Sequence, residues 1–83
     1  MSQEEKLLLS VLRGTQDKNI SFSDLQKLLD HLGFDCRTRG DHFIYTRQDV
    51  DEIINIQPRG HLAKPYQVKQ VRDVIIKYRM GGD

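Results

Sequence analysis

The sequence predicts a small α+β domain, in which a three-stranded antiparallel sheet is covered on one face by helices. Three observations carry that prediction. Leucines recur at helical spacing between Leu25 and Leu32. Three short runs rich in aromatic and β-branched residues follow one another with turn-forming residues between them. A last apolar stripe of helical period runs from Val68 to Tyr78 behind a proline. Helices gathered before and after a run of strands pack most simply as layers, with an antiparallel meander against the helices.

Each element has a local cause. Gln3 to Leu12 reads as a helix with Leu7, Leu8, Val11 and Leu12 on its apolar side, and Gly14 ends it. Gly14-Thr15-Gln16-Asp17-Lys18-Asn19 has the polar composition of a loop. The clearest helix has Leu25, Leu28, Leu29 and Leu32 at i, i+3, i+4 and i+7, which places them in one stripe. Ser21 or Ser23 can cap its start, with Asp24 and Gln26 at capping-box distance. Gly33 follows where a left-handed residue is expected, and Phe34 can fold back on the last turn. Strands are expected at 34–39, 42–47 and 52–57, with Gly40-Asp41 turning the first into the second and 48–51 joining the second to the third. Residues 58–63 read as a loop. Pro65 suits the first turn of the closing helix, whose inner stripe is Val68, Val71, Val74 or Ile75, and Tyr78. The order is α-α-β-β-β-α. Strand parity sends Phe43 and Tyr45 towards the helices and His42 and Ile44 to the open face.

The totals restrict the function. The chain has 83 residues, which make one domain: an N-terminal helix over 1–14, a core over 20–79 and a flexible tail at 80–83. A domain this short buries about 60% of its unfolded surface, which leaves room for neither a cofactor-binding α/β sheet nor a deep substrate pocket. No cofactor and no metal are expected: one cysteine and three widely spaced histidines do not make a zinc site. No apolar run approaches the length of a membrane span, and the first residues lack the pattern of a signal peptide. Cys36 has no disulfide partner in the chain, which fits a reducing cytoplasm. Cys36 is expected as a small buried hydrophobe on the first strand.

The net charge of +1 conceals an asymmetry. Residues 1–56 hold 7 Lys and Arg against 10 Asp and Glu, whereas residues 57–83 hold 6 against 2. A polyanion can dock on that basic last third. At the middle of the chain stands Gly40-Asp41-His42-Phe43, with Arg37 and Arg39 just before it. Imidazole transfers protons near neutral pH, and guanidinium groups hold phosphate. His42 is therefore the candidate catalytic residue. Arg37, Arg39, Gly40, Lys64, Lys69 and Arg72 are candidate RNA contacts, Lys64 because it precedes a helix N-terminus. Tyr45, His61 and Lys64 are candidates for a second proton-transfer group. His31 reads as solvated, His61 as a loop residue, and Asp49, Asp51 and Glu52 as a solvated turn.

From Ile20 onward the chain resembles the HicA family of toxins from bacterial toxin–antitoxin modules. The resemblance rests on Asp24-Leu25-Gln26-Lys27-Leu28-Leu29-Asp30-His31-Leu32-Gly33-Phe34, on Gly40-Asp41-His42-Phe43 where the family has Gly-Ser-His-His, and on Asn55-Ile56-Gln57-Pro58 followed by Lys64-Pro65-Tyr66-Gln67-Val68. It covers about three quarters of the chain. It implies a fold like the double-stranded-RNA-binding domain (α-β-β-β-α), here with an extra N-terminal helix. It also implies the activity of a type II toxin: metal-independent mRNA cleavage, with mRNA and a HicB-like antitoxin as partners. The family's catalytic histidine falls on His42. Asp41 stands in place of the family's Ser and Phe43 in place of its second His. Two other functions fit the same shape: an RNA-binding module that does not cut, and a protein-interaction domain.

Overall fold

A computed structural model describes residues 2–81. Helix α1 (Gln3–Arg13) is capped by the Ser2 hydroxyl, which accepts from Glu5 N–H, and stops at Gly14 with φ +72°. A single 3-10 turn (Asp17–Asn19) leads to helix α2 (Phe22–His31), whose cap is Ser21, accepting from Asp24 N–H. At its end Gly33 N–H donates to Asp30 C=O and Phe34 N–H to Leu29 C=O, the paired bonds of a Schellman stop. Strands β1 (Asp35–Arg39), β2 (His42–Arg47) and β3 (Val50–Ile56) follow. They form one antiparallel sheet in the order β1-β2-β3. Helix α3 (Pro65–Lys77) closes the chain, with Pro65 in its first turn.

The core lies between the helices and one face of the sheet. Val11 of α1, Leu25, Leu28 and Leu29 of α2, and Val68, Val71, Val74 and Ile75 of α3 meet Tyr45, Ile54 and Ile56 there. Both Val74 and Ile75 are buried; Tyr78 is half-buried. Phe43 packs edge-on against Phe22 with ring centroids 5.2 Å apart. The parity expected for β2 is therefore present: Tyr45 is buried and His42 exposed. No helix of the described residues is long and apolar enough to cross a membrane.

Five expectations are corrected. The third strand begins at Val50 rather than at residue 52, so Asp51 and Glu52 lie in β3 and not in a solvated turn. Residues 58–63 are not a plain loop but a third hairpin, β4 (Pro58–Arg59) with β5 (Leu62–Ala63). It is laced to the start of α2 by Phe22 N–H donating to His61 C=O and by Ala63 N–H donating to Ile20 C=O, both at 2.9 Å. Cys36 is exposed. It lies opposite the buried Tyr45, but all of β1 is exposed, because this edge strand stands beyond the reach of the helices. Met80 is not part of a loose tail: it packs on the core, its N–H donates to Ile75 C=O at 2.9 Å, and Arg47 Nη1 reaches its sulfur at 3.5 Å. Gly82 and Asp83, the last two residues of that expected tail, lie outside the described residues. Tyr45 is withdrawn as a second proton-transfer group, since it is buried and burial pushes its phenol above the ordinary value.

Candidate functional site

His42 opens β2, directly across from Arg39. The two-residue connection between them is Gly40-Asp41, with Gly40 at φ +63°. Glycine with positive φ in the first loop position is what a type II′ hairpin turn demands. Arg37 faces Ile44, and Ile44 faces Asn55. Side chains on directly paired residues share a face, so Arg37, Arg39, His42, Ile44 and Asn55 all stand on the open face. Carried one residue further, the register sets Gln57 opposite His42.

A chain of polar contacts runs through this face. Asn55 Oδ1 lies 3.1 Å from His42 Nδ1. On the other side of the ring, His42 Nε2 lies 3.7 Å from Asp41 Oδ1, too far for a hydrogen bond. The second oxygen of Asp41 accepts from Gln57 Nε2 at 2.6 Å. Gln57 Oε1 in turn accepts from Lys64 Nζ at 3.1 Å. The Gln57 amide, with weaker pulls from His42 and Lys64, holds the Asp41 carboxyl below its ordinary value. Beneath the chain, the buried Gln67 of α3 pairs with the Gln57 backbone. Its amide accepts from Gln57 N–H at 3.1 Å and donates to Gln57 C=O at 3.2 Å. That replaces the strand neighbour Gln57 lacks beyond the end of β3, and it fixes Gln57 to α3.

The structure thus gathers His42, Arg37, Arg39, Gly40 and Lys64, five of the residues picked out in the sequence. It does not gather the other two. Lys69 lies on the outside of α3, bridged to Asp73 at 2.8 Å. Arg72 turns inward. Its guanidinium donates to Asp17 at 2.9 and 3.1 Å and to Val11 C=O at 3.2 Å, so it fastens α3 to α1 and the 3-10 turn. Lys69 and Arg72 therefore do not share an outward face, as their spacing suggests. His61 is exposed in the β4–β5 turn and His31 at the end of α2. Among the described residues no three His, Cys, Asp or Glu side chains converge as a metal site would need.

Asn55, Gln57 and Gln67 are the members that the sequence reading leaves without a role. The alternation of polar Asn55 and Gln57 about the apolar Ile56 is the signal for the first two. Gln67 carries none, because a glutamine in the first turn of a helix reads as solvated.

The fold and the cluster define a small α+β domain with a histidine-centred polar network on the exposed face of a three-stranded sheet. Compared with protein families, curated proteins and solved structures, the chain gives no match.

Proposed function

We propose that the protein is a metal-independent endoribonuclease of the HicA type, the toxin of a type II toxin–antitoxin module with a double-stranded-RNA-binding-domain-like fold. One observation carries the reading: His42 stands exposed on an open sheet face, with Arg39 directly opposite and Asn55 bonded to its ring. RNA brings its own nucleophile, the 2′-hydroxyl. His42 takes that proton, or gives one to the leaving 5′-oxygen, as the hydroxyl attacks the adjacent phosphate. Arg37 and Arg39 hold the phosphate and offset its developing charge. The products are a 2′,3′-cyclic phosphate and a 5′-hydroxyl. Lys64 and His61 are the candidates for the second proton transfer. A HicB-like antitoxin neutralises the enzyme by covering this face, where Ile53, 62% exposed, offers it an apolar hold.

The test is a long single-stranded RNA incubated in EDTA with the protein and with His42→Ala. Wild type is expected to cut and the variant to lose about 10²–10⁴-fold in rate. Cleavage that needs a divalent metal, or that leaves a 5′-phosphate, defeats the mechanism.

A second reading has an observation of its own. The Asp41 carboxylate sits 3.7 Å from His42, where it repels a phosphate. An RNA-binding domain that does not cut is expected to show no cleavage in either protein and binding that weakens steeply with salt.

A further inference from the structure

We infer that Asn55 and Asp41 are positioning residues that assign the two nitrogens of His42 to different tasks, a proposal that rests on the nuclease reading for its kinetic half only. The geometry around the ring is asymmetric. Nδ1 meets the Asn55 carbonyl oxygen at hydrogen-bond distance, 3.1 Å. A ring nitrogen facing an acceptor carries the proton, so Asn55 selects the Nδ1–H tautomer. That is the opposite of the form free histidine favours. Nε2 is thereby left with its lone pair exposed. It is the nitrogen that receives the proton from the 2′-hydroxyl.

Asp41 completes the arrangement. At 3.7 Å from Nε2 its carboxylate does not occupy the lone pair, but it lies close enough to stabilise the imidazolium once the proton arrives. A carboxylate loose at this position would swing towards the phosphate site and repel the substrate. Gln57 prevents that by holding its far oxygen at 2.6 Å. Gln57 is fixed through its backbone to the buried Gln67 and through its side chain to Lys64, whose ammonium offsets the charge. The aspartate that stands where the resembled family has serine thus becomes a counter-charge in a restrained place.

The tautomer is read directly. In a long-range ¹H–¹⁵N spectrum of the ¹⁵N-labelled protein, recorded on the neutral imidazole, the wild type is expected to show His42 protonated at Nδ1. Asn55→Ala is expected to shift the population to Nε2–H. A wild type that is already Nε2–H, or an Asn55→Ala spectrum indistinguishable from it, overturns the tautomer assignment. In kinetics on a defined oligoribonucleotide, Asn55→Ala and Asp41→Asn are each expected to lower kcat on the order of 10²-fold, the cost of a misplaced catalytic group, with KM little changed. An Asp41→Asn enzyme that binds RNA more tightly and cuts faster overturns the counter-charge role and makes Asp41 a simple repellent. If the wild type shows Nδ1–H but cuts no RNA, the nuclease reading and the counter-charge role fail together, and the tautomer selection by Asn55 stands.

Discussion

At the scale of single residues, magnitudes separate fastenings from decoration. Two basic residues of α3, one turn apart, each face an aspartate. The Arg72–Asp17 pair is mostly shielded, with side-chain exposures of 16% and 21%, whereas Lys69–Asp73 stands at 64% and 58%. An exposed i,i+4 pair contributes about 0.3–0.5 kcal/mol. A shielded one, in which a single guanidinium nitrogen meets both carboxylate oxygens, leaves that charged donor with only the Val11 carbonyl when it is broken, a loss of about 1.5–3 kcal/mol. Asp17→Ala is therefore expected to lower the urea midpoint clearly, and Asp73→Ala hardly at all; equal effects would contradict the assignment. The hydrogen bond it donates to Asp17 also raises the Arg72 pKa above its ordinary value, so the guanidinium stays charged throughout the working range of pH. His42→Ala, by contrast, removes a side chain that is 48% exposed and is expected to leave the midpoint within about 0.5 kcal/mol of wild type. Lost cleavage in that variant then reports chemistry rather than unfolding.

At the scale of elements, the β1–β2 and β4–β5 hairpins and the helix stops depend on backbone that L-residues resist. Gly14 and Gly40 both have positive φ, a conformation costing other residues about 1–2 kcal/mol. Their surroundings differ. A Cβ on Gly14 would come within 3.1 Å of Arg72 Nη1, whereas one on Gly40 would meet nothing within 4 Å. Gly14→Ala is expected to be the more destabilising of the two in thermal melts, because it also pushes on the Arg72 fastening. Such stops were legible in the sequence, as were all three helices and the main strands, because period, caps and glycines act locally. What was not legible depended on partners distant along the chain. Residues 58–63 become a hairpin because the turn before α2 supplies backbone bonds to it. Cys36 has the parity of a core residue, but only the assembled sheet reveals that no helix lies beneath it. Arg72 looks like a surface cation until α1 is placed beside it. The site divides in the same way: His42 and its arginines could be found by pattern, whereas Asn55 and Gln57 needed the register and Gln67 needed the packed core.

At the scale of the molecule, α3 is tied to the sheet at both ends. At its start Gln67 holds Gln57. At its finish Lys77 Nζ and the Tyr78 hydroxyl donate to Glu52 at 2.9 and 2.7 Å, and Asp51 N–H donates to the same hydroxyl. The Lys77 bond, then that from Tyr78, holds the Glu52 carboxyl below its ordinary value; Gln57 does the same for Asp41. A carboxyl whose pKa is lower in the fold than in the unfolded chain favours the fold above its unfolded pKa. That contribution is lost as pH falls through the folded one. Stability is therefore expected to be level at neutral pH and to decline below about pH 4. Glu52→Gln should flatten part of that decline in urea titrations across the acid range. A decline that begins near pH 6 would point to histidine and not to these carboxylates.

The exposure of β1 on both of its faces has a consequence for motion. A strand with no buried residue is held chiefly by its ladder to β2, and such segments open locally at far less free energy than the whole fold. Amide hydrogens of Asp35–Arg39 should exchange with solvent well before those of β3, and Arg37 and Arg39 ride on that segment. The part of the proposed site that carries Arg37 and Arg39 is then the looser one, while Asn55 bonds His42 and Gln57 is tied to α3.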